Sequence, residues 1–434
     1  MIGQAWRELL SNLDAAASVI TRPEIAATPQ VQAEFYRHLL RLIRAMDLLL
    51  VEYADAERPI LNRQFDLGTA FAIDNPDTLY WMFHVQAEGT YLLRALPPAR
   101  PPSSVRCRRL LRSLRPAPDE DRVSLACGSV ERKPYRPPHF LSLNNLVPRA
   151  GSLPAAAHTI NNANGTLRVA RDGSFEVLIS ATKQPGNWLR LETGVPGQAV
   201  FFRQTFNDWS CEGPLDVRLT RLDGRGALPE IRTEDLALKM AKVGMATMFQ
   251  AQRWVQNTLD TRAELGTNVM EAPRFRPDIA GLPGQYYAQG FFDVADDQAL
   301  LVEFPPPRDC WYWGMQLTNF LGESLDYANR MVSVNGAQAH VDADGQVRAA
   351  LAHHDPGVPN WLDLGGGESR RQGLIVLRFT ECGESRTFPA PTTSLVPLAD
   401  LRAHLPAGHP VVTPRQRMQE LDARRAHLAR RLQQ

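Results

Sequence analysis

DGSFEVLIS at residues 172–180 is followed by QPGNWLRL at 184–191 and VFFRQTF at 200–206, and the same succession recurs later in the chain. There it reads DGQVRAALA at 344–352, DPGVPNWLDL at 355–364 and LIVLRFT at 374–380. DTLYWMFHV at 77–85 is the expected partner of DCWYWGMQL at 309–317. Because the motifs keep the same order and nearly the same spacing, we predict an internal repeat.

Each copy of the repeat has the punctuation of antiparallel β-structure. Short apolar runs alternate with Asp-Gly and Pro-Gly pairs, and a tryptophan follows each Pro-Gly turn. The sequence between the motifs lacks a Gly-rich phosphate loop or a GxSxG turn. The expected fold is therefore mainly β, with two tandem β-sandwich or jelly-roll domains.

Helical periodicity is found in three regions before the C-terminal helix. Trp6 and Leu9 belong to a first helix, and Thr28 followed by Pro29 predicts the start of a second that runs to about residue 53. We expect these two helices to pack as a hairpin. Thr233 precedes an inserted helix. The predicted segments are a helical N-terminus at 1–60, a first sandwich at 61–228, a helical connector at 229–265, a second sandwich at 266–405 and a C-terminal helix at 406–434.

Composition excludes some classes of function. The 434 residues contain 48 Lys and Arg against 47 Asp and Glu, and this balance gives no general attraction to nucleic acid. The N-terminus lacks a secretory pattern, and no apolar run approaches the roughly 20 residues of a membrane span. The five cysteines are scattered and odd in number, which favours reduced thiols. We expect a cytoplasmic protein without a membrane association.

Residues 96–155 break the repeat. This stretch is rich in Pro, Arg and Ser, and we predict that it is the least regular part of the molecule. Three explanations remain open: a long exposed loop, a basic interaction tail, or a segment foreign to the rest of the chain, since out-of-frame translation of GC-rich DNA has this composition.

DNPDTLYWMF, YWGMQL and DPGVPNWLDLGG carry a resemblance to a known family. The chain resembles a bacterial family of two linked domains of unknown function, numbered 1254 and 1214, over residues 5–95 and 165–400. The resemblance implies two β-sandwich or jelly-roll domains with an inserted helical piece. It implies no established activity.

Candidate site residues come mainly from the turns and aromatic strands of the repeat. Asp77 and Tyr80 could bind a polar ligand or transfer a proton, or Asp77 could simply cap a turn. Asp355 and Asp363 are the catalytic candidates, with His353 nearby, although carboxylates beside a Pro-Gly turn often cap backbone groups. If a pocket exists, we expect the following residues to line it: Tyr312, Trp313, Asn360, Trp361 and Arg378.

Arg203 and Arg378 occupy equivalent strands of the repeat, and a buried guanidinium needs a partner. Pairing with Asp363 or another turn carboxylate is the plain expectation, with an anionic ligand as the alternative. In the C-terminal helix, a narrow stripe of Met418, Leu421, Leu428 and Leu432 is expected to dock on the chain itself or to form a homodimer contact.

Three hypotheses of function remain open on the sequence. The first is an enzyme or binding protein for a small, partly apolar or sugar-like molecule. The second is a noncatalytic scaffold or assembly module. The third is a glycan hydrolase, for which Asp355 and Asp363 are the nominated carboxylates. The sequence does not identify a cofactor, and it predicts no metal site.

Overall fold

The computed structural model describes residues 2–25, 28–98, 134–149, 151–224, 230–279, 281–366, 370–383 and 387–432. The fold is mainly β, as predicted, and the strands within these ranges form four antiparallel or mixed sheets. No helix in the described ranges has both the length and the apolar character needed to cross a membrane.

Four α-helices of the described chain accompany the sheets. Their bounds are α1 Ile2–Ala17, α2 Pro29–Asp47, α3 Thr233–Leu265 and α4 Pro414–Leu432. The Thr28 side chain accepts a hydrogen bond from the Val31 N–H, so the predicted N-cap of α2 is confirmed. The predicted hairpin of the first two helices is wrong. Gly244 of α3 lies against Leu9 of α1, because a residue without a side chain allows two helices to approach closely.

The first half of the chain forms sheets 1 and 2. Its strands are β1 Asn62–Gln64, β2 Thr78–Val85, β3 Tyr91–Leu96, β4 Phe140–Val147, β5 Ala155–Asn161, β6 Phe175–Ser180, β7 Trp188–Arg190, β8 Gln198–Thr205 and β9 Asp216–Arg221. Sheet 1 has the strand order β1-β2-β8-β4-β5, and sheet 2 has the order β7-β6-β3-β9. The two sheets share one apolar core, to which Phe202 of sheet 1 and Val177 of sheet 2 contribute.

The second half forms sheets 3 and 4. Its strands are β10 Val269–Met270, β11 Arg274–Phe275, β12 Gln285–Asp293, β13 Gln298–Phe304, β14 Cys310–Asn319, β15 Ser333–Asn335, β16 Val347–Ala352, β17 Trp361–Asp363, β18 Gln372–Cys382 and β19 Thr392–Pro397. Sheet 3 has the order β10-β12-β18-β14-β15, with β11 also paired to β12, and sheet 4 has the order β17-β16-β13-β19. Leu377 of sheet 3 and Leu351 of sheet 4 share the core between them.

The two halves have corresponding strand orders. Taken in chain order, the strands from β2 to β9 occupy the same places in sheets 1 and 2 as the strands from β12 to β19 occupy in sheets 3 and 4. The partner predicted for DTLYWMFHV is therefore wrong: β2 matches β12, and β14 matches β4. Both motifs contain an aromatic pair that favours strands, which explains the misassignment. Sequence motifs at the turns are better guides, because Gly173 and Gly345 both adopt the positive φ that the predicted Asp-Gly turns require.

The predicted irregular segment at 96–155 is wrong over residues 140–147. There β4 is hydrogen-bonded to β8 on one side and to β5 on the other. In the second half the connection from Phe304 to Cys310 is short, whereas Leu96 and Phe140 enclose a long insertion at the equivalent place. The stretch 98–118, for which we predict no central strands, lies outside the described residues except at its first position.

The C-terminal helix docks on its own chain through Leu428 of the predicted stripe, which is 3% exposed and belongs to the same core as Leu377, and through three arginines. Met418 is 61% exposed, whereas Arg417, Arg424 and Arg431 are buried. The Arg431 guanidinium donates to the carbonyls of Pro76 and Thr78, both at 2.7 Å. Arg424 likewise donates to the carbonyls of Tyr327 and Ser333, whereas Arg417 pairs with the carboxylates of Asp355 and Glu420. With these partners a helix of polar sequence can bury this face.

Cys310 and Cys382 are directly opposite each other on β14 and β18 and form a disulfide bond. The prediction of scattered reduced thiols is therefore wrong for this pair. A separation of 72 residues along the sequence hides the contact, because it depends on the register of two strands. Among the described residues, Cys211 is a free, buried cysteine.

Candidate functional site

A tyrosine and an arginine lie side by side on the face of sheet 1 that points away from its core. Tyr80 of β2 is the register partner of Arg203 of β8. The guanidinium lies 5.8 Å from the centroid of the Tyr80 ring and 3.9 Å from that of Phe201. Its Nη1 donates a short hydrogen bond to the side-chain oxygen of Asn144 on β4.

Sheet 3 repeats this arrangement at the equivalent positions. Tyr287 of β12 is the register partner of Arg378 of β18, and the guanidinium lies 5.7 Å from the centroid of the tyrosine ring. Arg378 Nη1 donates to the side-chain oxygen of Gln316 on β14, as Arg203 does to Asn144. Each half therefore carries a cross-strand tyrosine and arginine, and an amide on the next strand. We call the four residues Tyr80, Arg203, Tyr287 and Arg378 the tyrosine–arginine cluster.

The two halves of the tyrosine–arginine cluster face each other. Arg203 interacts electrostatically with the phenol groups of both Tyr80 and Tyr287, and Tyr80 with both arginines. The segment 73–77 passes between the sheets. Its Ile73 carbonyl accepts from Arg378 Nη2, so this arginine is satisfied by the chain itself.

Arg203 is the less satisfied of the two arginines. Its Nε and Nη2 have no hydrogen-bond partner among the described residues, and no carboxylate of those residues lies within 4.0 Å of it. Burial lowers the pKa of Arg203 to about 10, yet the side chain keeps intermediate solvent exposure. The guanidinium is therefore desolvated by the surrounding protein but keeps some contact with solvent.

Further polar groups without partners border Arg203. Ser142 of β4 is its register partner on the other side, and Gln64 of β1 is the register partner of Tyr80. Both side chains are 1% exposed, and neither the Ser142 hydroxyl nor the Gln64 amide has a hydrogen-bond partner in the described structure. Buried polar groups usually have a partner, so these atoms can bind water or a ligand.

An apolar surface adjoins this polar row. Tyr80, Met82, Ala199 and Phe201 form a small buried cluster against which Phe65 packs. The Phe65 and Tyr80 rings are 5.1 Å apart in edge-to-face geometry. Aromatic side chains and a guanidinium therefore lie side by side here, a combination suited to an organic anion.

Four of the predicted site residues lie in this region. Tyr80 and Arg378 belong to the tyrosine–arginine cluster, while the Tyr312 hydroxyl donates to Asp77 Oδ2 at 2.6 Å. Burial raises the pKa of Asp77, and its electrostatic interactions with Arg424 and Arg431 oppose this rise. Asp77 is 1% exposed, so the structure places it in an internal network.

The structure does not bring the other predicted residues to the same place. Trp313 lies in the core between sheets 3 and 4. Asp355 Oδ1 accepts from the Gly357 N–H at 2.9 Å, and Asp363 Oδ1 accepts from the Gly365 N–H at 2.7 Å. Their second contacts are ion pairs with arginines, as follows: Arg417 for Asp355 and Arg330 for Asp363.

Asn360 and Trp361 also make local backbone contacts. Asn360 bonds to both the N–H and the carbonyl of His340, and the Trp361 indole donates to the Ala352 carbonyl at 3.1 Å. The first half repeats these contacts with Asn187 and Trp188, whose indole donates to the Ser180 carbonyl at 3.1 Å. The arrangement predicted as one pocket is thus divided between a central network and a structural turn.

The expectation that Arg378 pairs with Asp363 is wrong, because Asp363 pairs with Arg330 and Arg378 binds an amide and a carbonyl. Sequence reasoning treats Arg203 as a buried guanidinium, with an anionic ligand as one alternative for its partner, and it misses Tyr287 entirely. A signal for Tyr287 exists, since it stands in the strand that matches β2, but the aromatic motifs pair β2 with a different strand.

A cluster of possible metal ligands and a surface groove lie outside this region. His340, Asp342 and His409 have ligand atoms within 4.8 Å of one another. Burial lowers the pKa of His409. A groove of about 790 Å³ runs between Arg22 and Arg262, and none of the predicted site residues lines it.

Comparisons with known proteins identify a similar fold but no function. No model of a protein family matches the chain, and no curated protein matches it. A crystal structure of an uncharacterised protein from Burkholderia cenocepacia is similar at 25% identity and a TM-score of 0.75, over 92% of this chain and 98% of that one. The VPA0106 protein from Vibrio parahaemolyticus matches at 12% identity and a TM-score of 0.43, over 89% of this chain and 100% of that one. The chain shares its fold with the first of these proteins over nearly its whole length.

Proposed function

We propose that the protein binds a small, partly apolar organic anion against the Arg203 guanidinium. The observation that carries this proposal is the state of the Arg203 guanidinium, which is buried enough to lower its pKa but has two nitrogens without partners in the described structure. A carboxylate would accept from Nε and Nη2 together, in the two-point geometry that guanidinium groups favour. Phe65 and Phe201 would contact its apolar part.

Binding is better supported than catalysis. A hydrolase of glycans would use two carboxylates that flank the substrate. Asp355 and Asp363 each cap a backbone N–H and each form an ion pair, so using either would break local structure. These contacts support a structural role for the turns that carry Asp355 and Asp363. The ligand is therefore proposed to bind at Arg203 and not at these turns.

A thermal-shift titration tests the proposal. Benzoate and hexanoate serve as anionic probes, and glucose serves as a neutral, sugar-like probe. We expect the carboxylates to raise the Tm of the wild type and to lose this effect in Arg203→Met. Arg218→Met, which removes an exposed arginine from β9, is the matched control and should respond like the wild type. Stabilisation by glucose alone, or by benzoate equally in Arg203→Met, would refute anion binding at Arg203.

We also propose that the two sheet pairs are tandem sandwich units derived from one duplicated unit, as the repeat suggests. The matching strand orders and the matching contacts of Asn187 and Asn360 support this history.

We also propose that the chain belongs to the two-domain family named above and that it forms a homodimer through α4. A cytoplasmic location is also a proposal, and the bond between Cys310 and Cys382 weakens it, because disulfides are rare in reducing compartments.

A further inference from the structure

Two histidines converge on one carboxylate oxygen beside sheet 4. His340 Nε2 lies 3.1 Å from Asp342 Oδ1, and His409 Nδ1 lies 2.9 Å from the same oxygen. His340 and Asp342 belong to the connection from β15 to β16, whereas His409 lies in the segment that leads to α4. The side chains of Asp342 and His409 are 5% and 1% exposed, and that of His340 is 33% exposed.

The spacing suits a divalent metal ion. Zinc bonds to imidazole nitrogen and carboxylate oxygen at roughly 2.0 to 2.2 Å, and tetrahedral geometry then places neighbouring ligand atoms about 3.3 Å apart. The nitrogen atoms of His340 and His409 would move by a few tenths of an ångström to reach that separation from Asp342 Oδ1. Oδ2 accepts from Arg348 Nη1 at 2.8 Å and also lies 3.1 Å from His409 Nδ1, so Arg348 orients the carboxylate with both oxygens within reach of the site.

The charge around the three side chains also favours a cation. Arg348 contacts three carboxylates, those of Glu303 at 2.6 Å, Asp342 at 2.8 Å and Asp344 at 2.7 Å. Arg402 donates to the His409 carbonyl at 3.3 Å, so three carboxylates face two guanidinium groups, and the remaining negative charge attracts a further positive ion.

The first sheet pair provides an internal comparison, because it builds the same turn without these ligands. Asn187 bonds to the N–H and carbonyl of Arg168 at the place where Asn360 bonds to those of His340. The Ala170 N–H donates to the Ser174 carbonyl at 2.9 Å, as the Asp342 N–H does to the Gln346 carbonyl. Arg168 and Ala170 therefore occupy the positions of His340 and Asp342, and the turn does not need a histidine or an aspartate to form.

We propose that His340, Asp342 and His409 bind a divalent transition-metal ion of the zinc class. Two imidazoles and one carboxylate supply three ligands, and the partial exposure of His340 leaves a fourth position for water. The ion would link the segment before α4 to the second sheet pair. Asn360 is a positioning residue for this site, since it holds the backbone of His340.

Calorimetric titration of the untagged, EDTA-dialysed protein with ZnCl₂ tests the proposal. We expect one ion per chain. Asp342→Ala introduces the residue found at the equivalent position of the first half and removes a ligand atom, so it should lower the affinity for zinc by at least about 100-fold. His409→Gln should show a similar loss. His354→Ala is the matched control, because His354 pairs with Asp296 on the surface and should not affect zinc affinity.

A second measurement keeps the test independent of folding. Circular dichroism of each variant confirms that the sheets are intact, and Co²⁺ in place of Zn²⁺ should give the strong visible absorption of a tetrahedral site in the wild type. Failure of the wild type to bind Zn²⁺, or equal binding by folded Asp342→Ala and His409→Gln, would overturn the site. Binding that is lost in His354→Ala instead would assign the ion to a different surface position and would overturn it equally.

Discussion

Arg203 and Arg378 occupy equivalent positions in the two halves of the molecule, but their surroundings differ. Arg378 is 4% exposed and donates to Gln316 and to the Ile73 carbonyl. Arg203 keeps part of its surface accessible and, among the described residues, donates to Asn144 alone. The Ile73 carbonyl of segment 73–77 accepts from Arg378, and Arg203 donates to no backbone carbonyl among the described residues. The arginine of the second half thus bonds to a segment of the first half, and the proposed ligand would contact the arginine of the first half.

The largest expected effect is on stability when Arg378 is changed. Arg378→Met leaves the Gln316 side-chain oxygen and the Ile73 carbonyl without a donor, at about 1 to 3 kcal/mol for each buried acceptor. We expect a fall of about 2 to 5 kcal/mol in the free energy of unfolding, measured by urea denaturation. Arg203→Met is the matched variant, and because it leaves only the Asn144 side-chain oxygen without a donor, it should lower the free energy of unfolding by about 1 to 3 kcal/mol. Equal losses would show that both arginines are structural.

The second prediction concerns Asp74, which lies beside Arg378. Its carboxylate accepts from the Ser324 N–H and hydroxyl, and burial raises its pKa to about 7. The folded state therefore binds more protons than the unfolded state between about pH 4 and pH 7, and this contribution to stability decreases as the pH rises through that window. Relative to Asp74→Asn, the wild type should lose about 2 to 4 kcal/mol across it.

Urea denaturation of both proteins at several pH values measures this difference. The asparagine of the variant keeps an acceptor for Ser324 and cannot titrate, so it isolates the charge. Parallel stability curves from about pH 4 to pH 7.5 would mean that Asp74 titrates normally. The network beside Arg378 would then be less desolvated than the structure indicates.

The smallest expected effect is at Asp363. Asp363→Asn keeps an oxygen for the Gly365 N–H and loses the ion pair with Arg330, whose side chain is 37% exposed. Exposed ion pairs contribute roughly 0 to 1 kcal/mol, so we expect a change in stability below about 1 kcal/mol. Benzoate binding, measured by thermal shift, should be unchanged. A loss of benzoate binding in this variant would instead place the ligand site at the turn that carries Asp363, as the sequence suggested.

Part of the candidate site could be predicted from the sequence. Tyr80 and Arg378 are both sequence candidates and lie in one region, because tyrosines and arginines on apolar strands need polar partners. Tyr287 and Gln316 escape sequence reasoning because their position depends on which strands are neighbours. The proposed metal ligand His409 is 67 residues from Asp342, and no local spacing connects the two.

The sequence by itself determined the local structure of this protein. The Asp-Gly turns, the indole contacts of Trp188 and Trp361, and the N-cap at Thr28 all depend on residues close in the chain, where backbone preference and short hydrogen bonds decide the conformation. The tertiary structure alone decided that the outer faces of sheets 1 and 3 meet, because this follows from strand order and from where segment 73–77 passes. Equivalent residues such as Arg203 and Arg378 differ for that reason: a side chain's partners depend on what packs over it, which the pattern of its own strand does not encode.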